Sequence, residues 1–369
     1  MNITDYIKDF HQTFREKIFN EVDSLMFCQL FYARWEDQLK SEGIDWINPG
    51  YTVKDFNKLE FNHLMYCDGI ADEENLEFNL LASANRRFRD LKVKNIVAET
   101  SAEDKIQFAA VSFEIDDLTD YVCFRGTDGT MTGWKEDLEM SFAGIVPSQR
   151  EAVKYLERFY GPGSEGEKKR IYVGGHSKGG NLAVFSSLMC DPSIHPRILE
   201  VFSHDGPGFK EEVFAKLRES QNKAHLKISK TVPQTSIIGL LMQTDGNAQV
   251  VKSDAWGIMQ HSTLSWQIEN GTFVHLEKLS DTGKYMDRTL HEWLEHCPDE
   301  SREKFTNALF NALVDNDITS IPDFKTLKPS KILAIKKSFD DQDEETKEAL
   351  DLMFKSLMKV AWEQLVTQH

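Results

Sequence analysis

The chain has 369 residues, 40% of them apolar, with 60 acidic against 43 basic side chains and a net charge of −17. That size and apolar content support one large domain or two ordinary ones around a sizeable core. The spread negative charge argues against a nucleic-acid partner and against an anionic membrane surface.

No apolar run approaches the roughly 18 residues that span a bilayer, so no integral membrane segment is expected. Cys28, Cys67, Cys123, Cys190 and Cys297 lie far apart and form no Cys-x-x-Cys pair. Neither structural zinc nor a disulfide framework is expected from them. They fit free thiols in a reducing compartment, Cys123 as core filler. Met1–Asp9 lacks a basic stretch followed by an apolar one, so the expected location is cytoplasmic.

In chain order, residues 5–40 read as helical, with Phe10, Phe14, Ile18, Phe19, Val22, Leu25 and Met26 at three- and four-residue spacing. Residues 44–105 are mixed, with a helical stretch near Glu73–Arg89. The period then shortens. Phe108–Ile115 and Tyr121–Arg125 are β-rich runs joined by a hairpin turn.

Helix Gln149–Tyr160, strand Arg170–Gly174, helix Asn181–Cys190, strand Arg197–Phe202, helix Lys210–Glu219, and strands Leu226–Val232 and Gln249–Lys252 follow. Such alternation implies right-handed crossovers and a mostly parallel sheet. From about residue 281 the pattern is helical: Asp281–His296, Asp299–Val314 and Asp343–Val366. The last carries an apolar stripe of Leu350, Phe354, Leu357, Ala361 and Leu365. The expected organisation is an α/β domain over residues 1–280 and a C-terminal helical appendage over 281–369. The appendage packs on the sheet domain or leaves a homodimer open.

The stretch that carries chemistry is Gly175-His176-Ser177-Lys178-Gly179, a G-x-S-x-G pattern between the apolar run Ile171-Tyr172-Val173 and a helix-prone segment. A strand, a tight turn and a helix are the context of a nucleophile elbow, where glycines let a strained turn push the serine hydroxyl outward. The plain alternative is a turn whose serine caps the helix.

A serine nucleophile needs a base and an acid to orient it, in the chain order serine, acid, histidine. His261 is the expected base, in a loop after the strand Ala248–Lys252. His275 reads as packed within an apolar strand, while His291 and His296 fall on an appendage helix and His369 is terminal. Asp205 is the expected acid, at the carboxyl end of the strand after the nucleophile helix. Asp245 is the runner-up, and Asp254 reads as a turn former or cap. The oxyanion hole is expected from the amide of Lys178 and from Thr127, with a hydroxyl as a further donor, in the loop Phe124-Arg125-Gly126-Thr127. Arg125 could instead mark a simple turn with a salt bridge to Asp137.

With these residues the chain resembles the class 3, or fungal-type, lipases: Phe124-Arg125-Gly126-Thr127 looks like their oxyanion motif, and Gly175 to Gly180 like their elbow. It is closer still to a bacterial branch of lipase-like α/β-hydrolases of unknown function. That branch is suggested by Gly126-Thr127-Asp128 with Gly133-Trp134-Lys135-Glu136-Asp137, by Asp205-Gly206-Pro207-Gly208-Phe209, and by Gln260-His261-Ser262 with Ser265-Trp266.

The resemblance runs from near residue 12 to about 270. It implies an α/β-hydrolase fold, with a mostly parallel sheet flanked by helices, and esterase or lipase-like chemistry through an acyl-enzyme on Ser177. Thioesterases and acyltransferases would use the same residues. No cofactor or metal is called for, and the substrate would be a small acyl ester or a lipid-like molecule. Short, soluble esters are favoured, since no apolar lid is evident. One departure stands out. Class 3 lipases place the acid one strand later, where this chain reads Thr231-Val232-Pro233-Gln234-Thr235-Ser236, without a carboxylate. The contrasting expectation is therefore an inactive hydrolase scaffold used for binding.

Overall fold

A computed structural model describes residues 1–67, 71–244, 246–255, 257–284, 298–320, 323, 329–339 and 347. Its strands are β1 (Lys92–Ser101), β2 (Ile106–Asp116), β3 (Thr119–Phe124), β4 (Arg170–His176), β5 (Ile198–His204), β6 (Ile228–Pro233), β7 (Gln249–Val251), β8 (Ile268–Glu269), β9 (Thr272–Phe273) and β10 (His275–Leu276). The helices are α1 (Ile3–Asp9), α2 (Glu21–Leu30), α3 (Trp35–Glu42), α4 (Asn62–Met65), α5 (Asp72–Ala84), α6 (Met131–Glu139), α7 (Pro147–Tyr160), α8 (Lys178–Met189), α9 (Glu211–Ala224), α10 (Asp299–Val314) and α11 (Pro329–Lys337).

Eight strands form one sheet in the order β1-β2-β3-β4-β5-β6-β7-β10. Pairing is antiparallel from β1 to β3, parallel from β3 to β7, and antiparallel again between β7 and β10. Strands β3 to β6 are sequential neighbours. Each right-handed crossover therefore steps the same way and lays its helix on the same face. On that face Leu156 of α7, Leu182 and Phe185 of α8 and Leu217 of α9 cluster with Val122, Phe124, Val173 and Val201.

Strand alternation turns Tyr121 and Cys123 to the opposite face. There the N-terminal helices supply the cover: Phe27 of α2, Trp35 of α3 and Phe78 of α5 join Val111, Phe113, Tyr121 and Phe202 in a second core. The mixed α/β architecture with a mainly parallel sheet flanked by helices is thus the expected one.

Several elements differ from the sequence reading. Residues 5–40 are three short helices rather than one. The break is chemical: Asn20 Oδ1 accepts from the amides of Val22 and Asp23, and Asp23 returns a bond to the Asn20 amide at 2.9 Å, a reciprocal cap that starts a new helix. Strand β1 falls inside the stretch read as mixed, because a register shift between Lys94 and Val97 interrupts its alternation. Helix α6 was also unread. His275 is not packed. It lies exposed on short β10 and bonds Glu21 at 2.9 Å.

Cys28, Cys123 and Cys190 are free thiols, Cys123 buried in the core, and Cys297 lies outside the described residues. So do Asp343–Val366 apart from Lys347, with its stripe, and Asp281–His296 beyond residue 284. Helix α10 buries Phe305, Leu309 and Leu313 in a third cluster with Met131, Trp134 and Leu138 of α6. The Met131 amide donates to Thr319 O at 2.8 Å. No described helix is long and apolar enough to cross a membrane.

Candidate active site

The site forms where β4 and β5 end. Ser177 follows β4 with φ +58° and ψ −133°, and α8 begins at the next residue. A non-glycine residue held there is strained. The turn is so tight that a Cβ on Gly175 would strike the backbone of Gly179, and one on Gly179 the backbone of Phe124. The Ser177 amide donates to His204 O at 2.9 Å, locking the turn to β5.

One residue past β5, Asp205 also has positive φ, +49°, and its amide bonds Thr231 O at 2.7 Å. Its side chain is fully buried. Asp205 Oδ2 accepts from His261 Nδ1 at 2.6 Å, and Oδ1 accepts from Ser236 Oγ at 2.5 Å. Ser236 Oγ in turn accepts the Gly239 amide at 3.0 Å. The segment that lacks a carboxylate therefore supplies a hydroxyl that supports one. Because a carboxylate only accepts, Nδ1 of His261 carries a proton, which leaves Nε2 as the nitrogen that can take or give one.

The imidazole is 26% exposed. No direct hydrogen bond joins Ser177 Oγ to it among the described residues. Such contacts are often long before a substrate is bound. Asp254 is not a partner of His261; its amide bonds Ser265 O. Asp245, His291, His296 and His369 lie outside the described residues.

A second histidine, unread as functional, sits inside the motif. His176 Nε2 lies 2.8 Å from the carbonyl of His261, and its Nδ1 lies 2.6 Å from Tyr32 OH. A carbonyl cannot donate, so Nε2 bears the proton and Nδ1 accepts from the phenol. Burial, then the nearby His261, hold its pKa well below 6.5, so the ring is neutral. It pins the His261 loop, with ring centroids 4.5 Å apart. His204 faces away, bonding Ser24 Oγ at 2.9 Å among aromatic rings.

Thr127 reaches the site on the loop after β3. Its hydroxyl donates to Asp137 Oδ2 and so is already committed, which departs from the expected free hydroxyl donor. Its amide has no hydrogen-bond partner among the described residues. The Lys178 amide, first in α8, is one of the orphan donors of a helix start. The Lys178 side chain turns inward to Gln107 and Glu136.

Arg125 does not pair with Asp137. It is buried against Glu36, Nη1 to Oε1 at 2.6 Å and Nη2 to Oε2 at 2.7 Å. Burial pushes the Asp137 carboxyl up to about 6, against the pull of Lys178 and the Thr127 bond. Beside Thr127 is a recess of about 20 Å³, lined also by Tyr32, Met65, Tyr66, Asp72, Asn75 and Asp128. Among the described residues no group of three or more His, Cys, Asp or Glu could hold a metal ion.

Solved structures similar to the chain include Rhizomucor miehei lipase in a propeptide complex, 14% identical over 63% of this chain and 69% of that one, TM-score 0.37. A fungal lipase in an inhibitor complex is 13% identical over 64% and 80%, TM-score 0.35. Lipase II from Rhizopus niveus is 15% identical over 60% and 85%, TM-score 0.32. The profile of a family described as Mbeg1-like matches residues 82–311, more than half of the chain. No curated protein matches significantly.

Proposed function

We propose that this chain, which belongs to the Mbeg1-like family, is a serine hydrolase of short acyl esters on a lipase-like α/β-hydrolase scaffold. The observation that carries the reading is the 2.6 Å bond between His261 Nδ1 and the buried Asp205 carboxylate, beside a serine held at a strained elbow. That bond leaves Nε2 as the basic atom.

Ser177 Oγ attacks the ester carbonyl carbon and its proton passes to His261 Nε2. The tetrahedral oxyanion is received by the Thr127 and Lys178 amides. The imidazolium then gives its proton to the leaving alkoxide, so an alcohol departs and the acyl group stays on Ser177. Water, deprotonated by the same nitrogen, releases the acid. Asp205 stays ionised and steadies the imidazolium. The sequence offers no apolar lid segment, which favours short, soluble esters over long-chain ones.

Fluorophosphonate labelling of the purified protein tests this. The wild type should be labelled, Ser177→Ala should not, and p-nitrophenyl acetate should turn over faster than the palmitate. Labelling no greater than that of Ser177→Ala would leave a non-catalytic binding scaffold as the reading.

A further inference from the structure

Lys178 has an unusual side chain for a residue that adjoins a nucleophile. It is 1% exposed, and so is an ammonium taken almost wholly out of water. All three of its protons find acceptors: Gln107 O at 2.8 Å, Gln107 Oε1 at 2.5 Å and Glu136 Oε2 at 3.1 Å. Glu136 is equally buried, and both of its oxygens are hydrogen-bonded. Its Oε2 also takes the Gln107 amide at 3.2 Å, and its Oε1 takes the Ser148 amide at 2.9 Å.

One ion pair thus ties the start of α8, just after Ser177, to β2, to α6 and to the start of α7. A buried pair of this kind stabilises a fold no better than apolar side chains of the same volume would. Its position therefore calls for another explanation.

The geometry points to Lys178 as a positioning residue for the oxyanion hole, its side chain acting through Glu136 and Asp137 on Thr127 while its own amide forms the other half. Glu136 and Asp137 are consecutive on α6, so fixing the first fixes the second. Asp137 accepts the Thr127 hydroxyl. Lys178 Nζ also lies 4.0 Å from Asp137 Oδ1, which favours the ionised, accepting carboxylate.

The charged and titratable groups facing Asp137 are Lys178 from α8, Glu136 from its own helix, His261 from the loop after β7 and the Tyr32 phenol. Lys178 and a charged His261 stabilise the carboxylate, Glu136 opposes it, and burial opposes it most. Removing the lysine takes away the largest pull toward the ionised form and leaves burial and Glu136 opposed only by the Thr127 bond and His261. Asp137 then protonates at higher pH, and its neutral carboxyl holds the Thr127 hydroxyl more weakly than the carboxylate does.

This inference rests on the hydrolase reading, and the experiment separates the two. Steady-state hydrolysis of p-nitrophenyl acetate is measured from pH 5 to 9 for the full-length wild type, Lys178→Met, Lys178→Arg and Asp137→Asn, with fluorophosphonate labelling alongside. Lys178→Met should lower kcat by roughly 10- to 100-fold with KM nearly unchanged, the pattern of a donor lost mainly in the transition state.

Its acid limb should move up by about half a pH unit or more. Lys178→Arg should restore part of both. A labelled wild type beside a folded Lys178→Met with unchanged kcat and pH profile overturns the positioning role alone. An unlabelled wild type overturns both readings. If Lys178→Met does not fold, Asp137→Asn decides. Its folded form should lose kcat at constant KM, and a wild-type kcat overturns the proposal.

Discussion

In the proposed hydrolase two buried aspartates, Asp23 and Asp205, divide structure from chemistry. Asp23, on the N-terminal layer, is gripped by Arg87: Nε to Oδ1 at 2.7 Å and Nη2 to Oδ2 at 2.6 Å. The same guanidinium donates to the carbonyls of Gln12, Lys17 and Ile18 and lies 3.8 Å from the centre of the Phe14 ring. Every partner is fixed, and a guanidinium does not give up its proton.

Asp205 is as deeply buried, but its partner is an imidazole with an open edge and a free Nε2. The backbone around it is strained at both Asp205 and Ser177. Burial is matched between the two carboxylates. What differs is whether the partner can change its protonation state.

The largest effects should come from exchanging each carboxylate for its amide. Asp205→Asn keeps the shape but no longer compels Nδ1 of His261 to carry the proton. Hydrolysis should fall about 10³- to 10⁴-fold while the melting temperature moves only a few degrees. Asp23→Asn leaves a buried guanidinium without its counter-charge. Stability should fall by about 3–5 kcal/mol, with kcat per folded molecule preserved below the melting transition. Activity and urea unfolding measured on both variants decide it. The contrast breaks if Asp205→Asn keeps a tenth of its activity, or if folded Asp23→Asn is inactive.

A smaller effect follows from the two buried histidines on either side of this divide. Burial, first of all, holds His176 well below 6.5 and brings His204 down to about 3. For a depressed histidine the unfolded chain takes up the proton first. Stability is therefore intact above about pH 6.5 and is lost as pH falls below it. Each histidine contributes up to about 1.4 kcal/mol per pH unit. Between pH 6.5 and 5, thermal or urea unfolding should show this slope twice over. His204→Gln should remove about half of it and leave hydrolysis near the wild-type rate, since His204 faces Ser24 and the aromatic layer. An unchanged slope would mean that His204 takes a proton in the native state.

What could be read in the sequence follows the same divide. The candidates Ser177, Asp205 and His261 stand out because each ends a short β-rich or loop segment in the expected order, and Gly175 and Gly179 announce the close crossing. The supporting groups do not. Ser236 stands where a carboxylate was sought, so the segment read as a gap. His176 and Lys178 occupy the variable positions of G-x-S-x-G, and spacing cannot say that one pins the His261 carbonyl and the other runs inward to Glu136.

Glu36 and Tyr32 meet the site only after a long return of the chain, and no local pattern encodes that return. The parallel strands were visible as apolar runs between helices. The edge strand β1 was not, because its bulge breaks the two-residue period, and the Asn20 cap lay hidden inside a continuous helical periodicity.

The finest test lies where the two regions touch. Tyr32, from the N-terminal layer, donates to His176 Nδ1 at 2.6 Å. Burial holds its phenol well above its ordinary pKa, so it remains a donor at every working pH. Tyr32→Phe removes one neutral hydrogen bond, worth about 1 kcal/mol. His176 Nε2–H still bonds the His261 carbonyl. The expected outcome is a melting temperature a few degrees lower, a loss of less than about tenfold in kcat and an unchanged pH profile, because His176 is neutral with or without the phenol. A loss of a hundredfold or more would show that the phenol sets the orientation of His176. The N-terminal layer would then reach into the catalytic machinery, and Asp23 and Asp205 would no longer stand for separate regions.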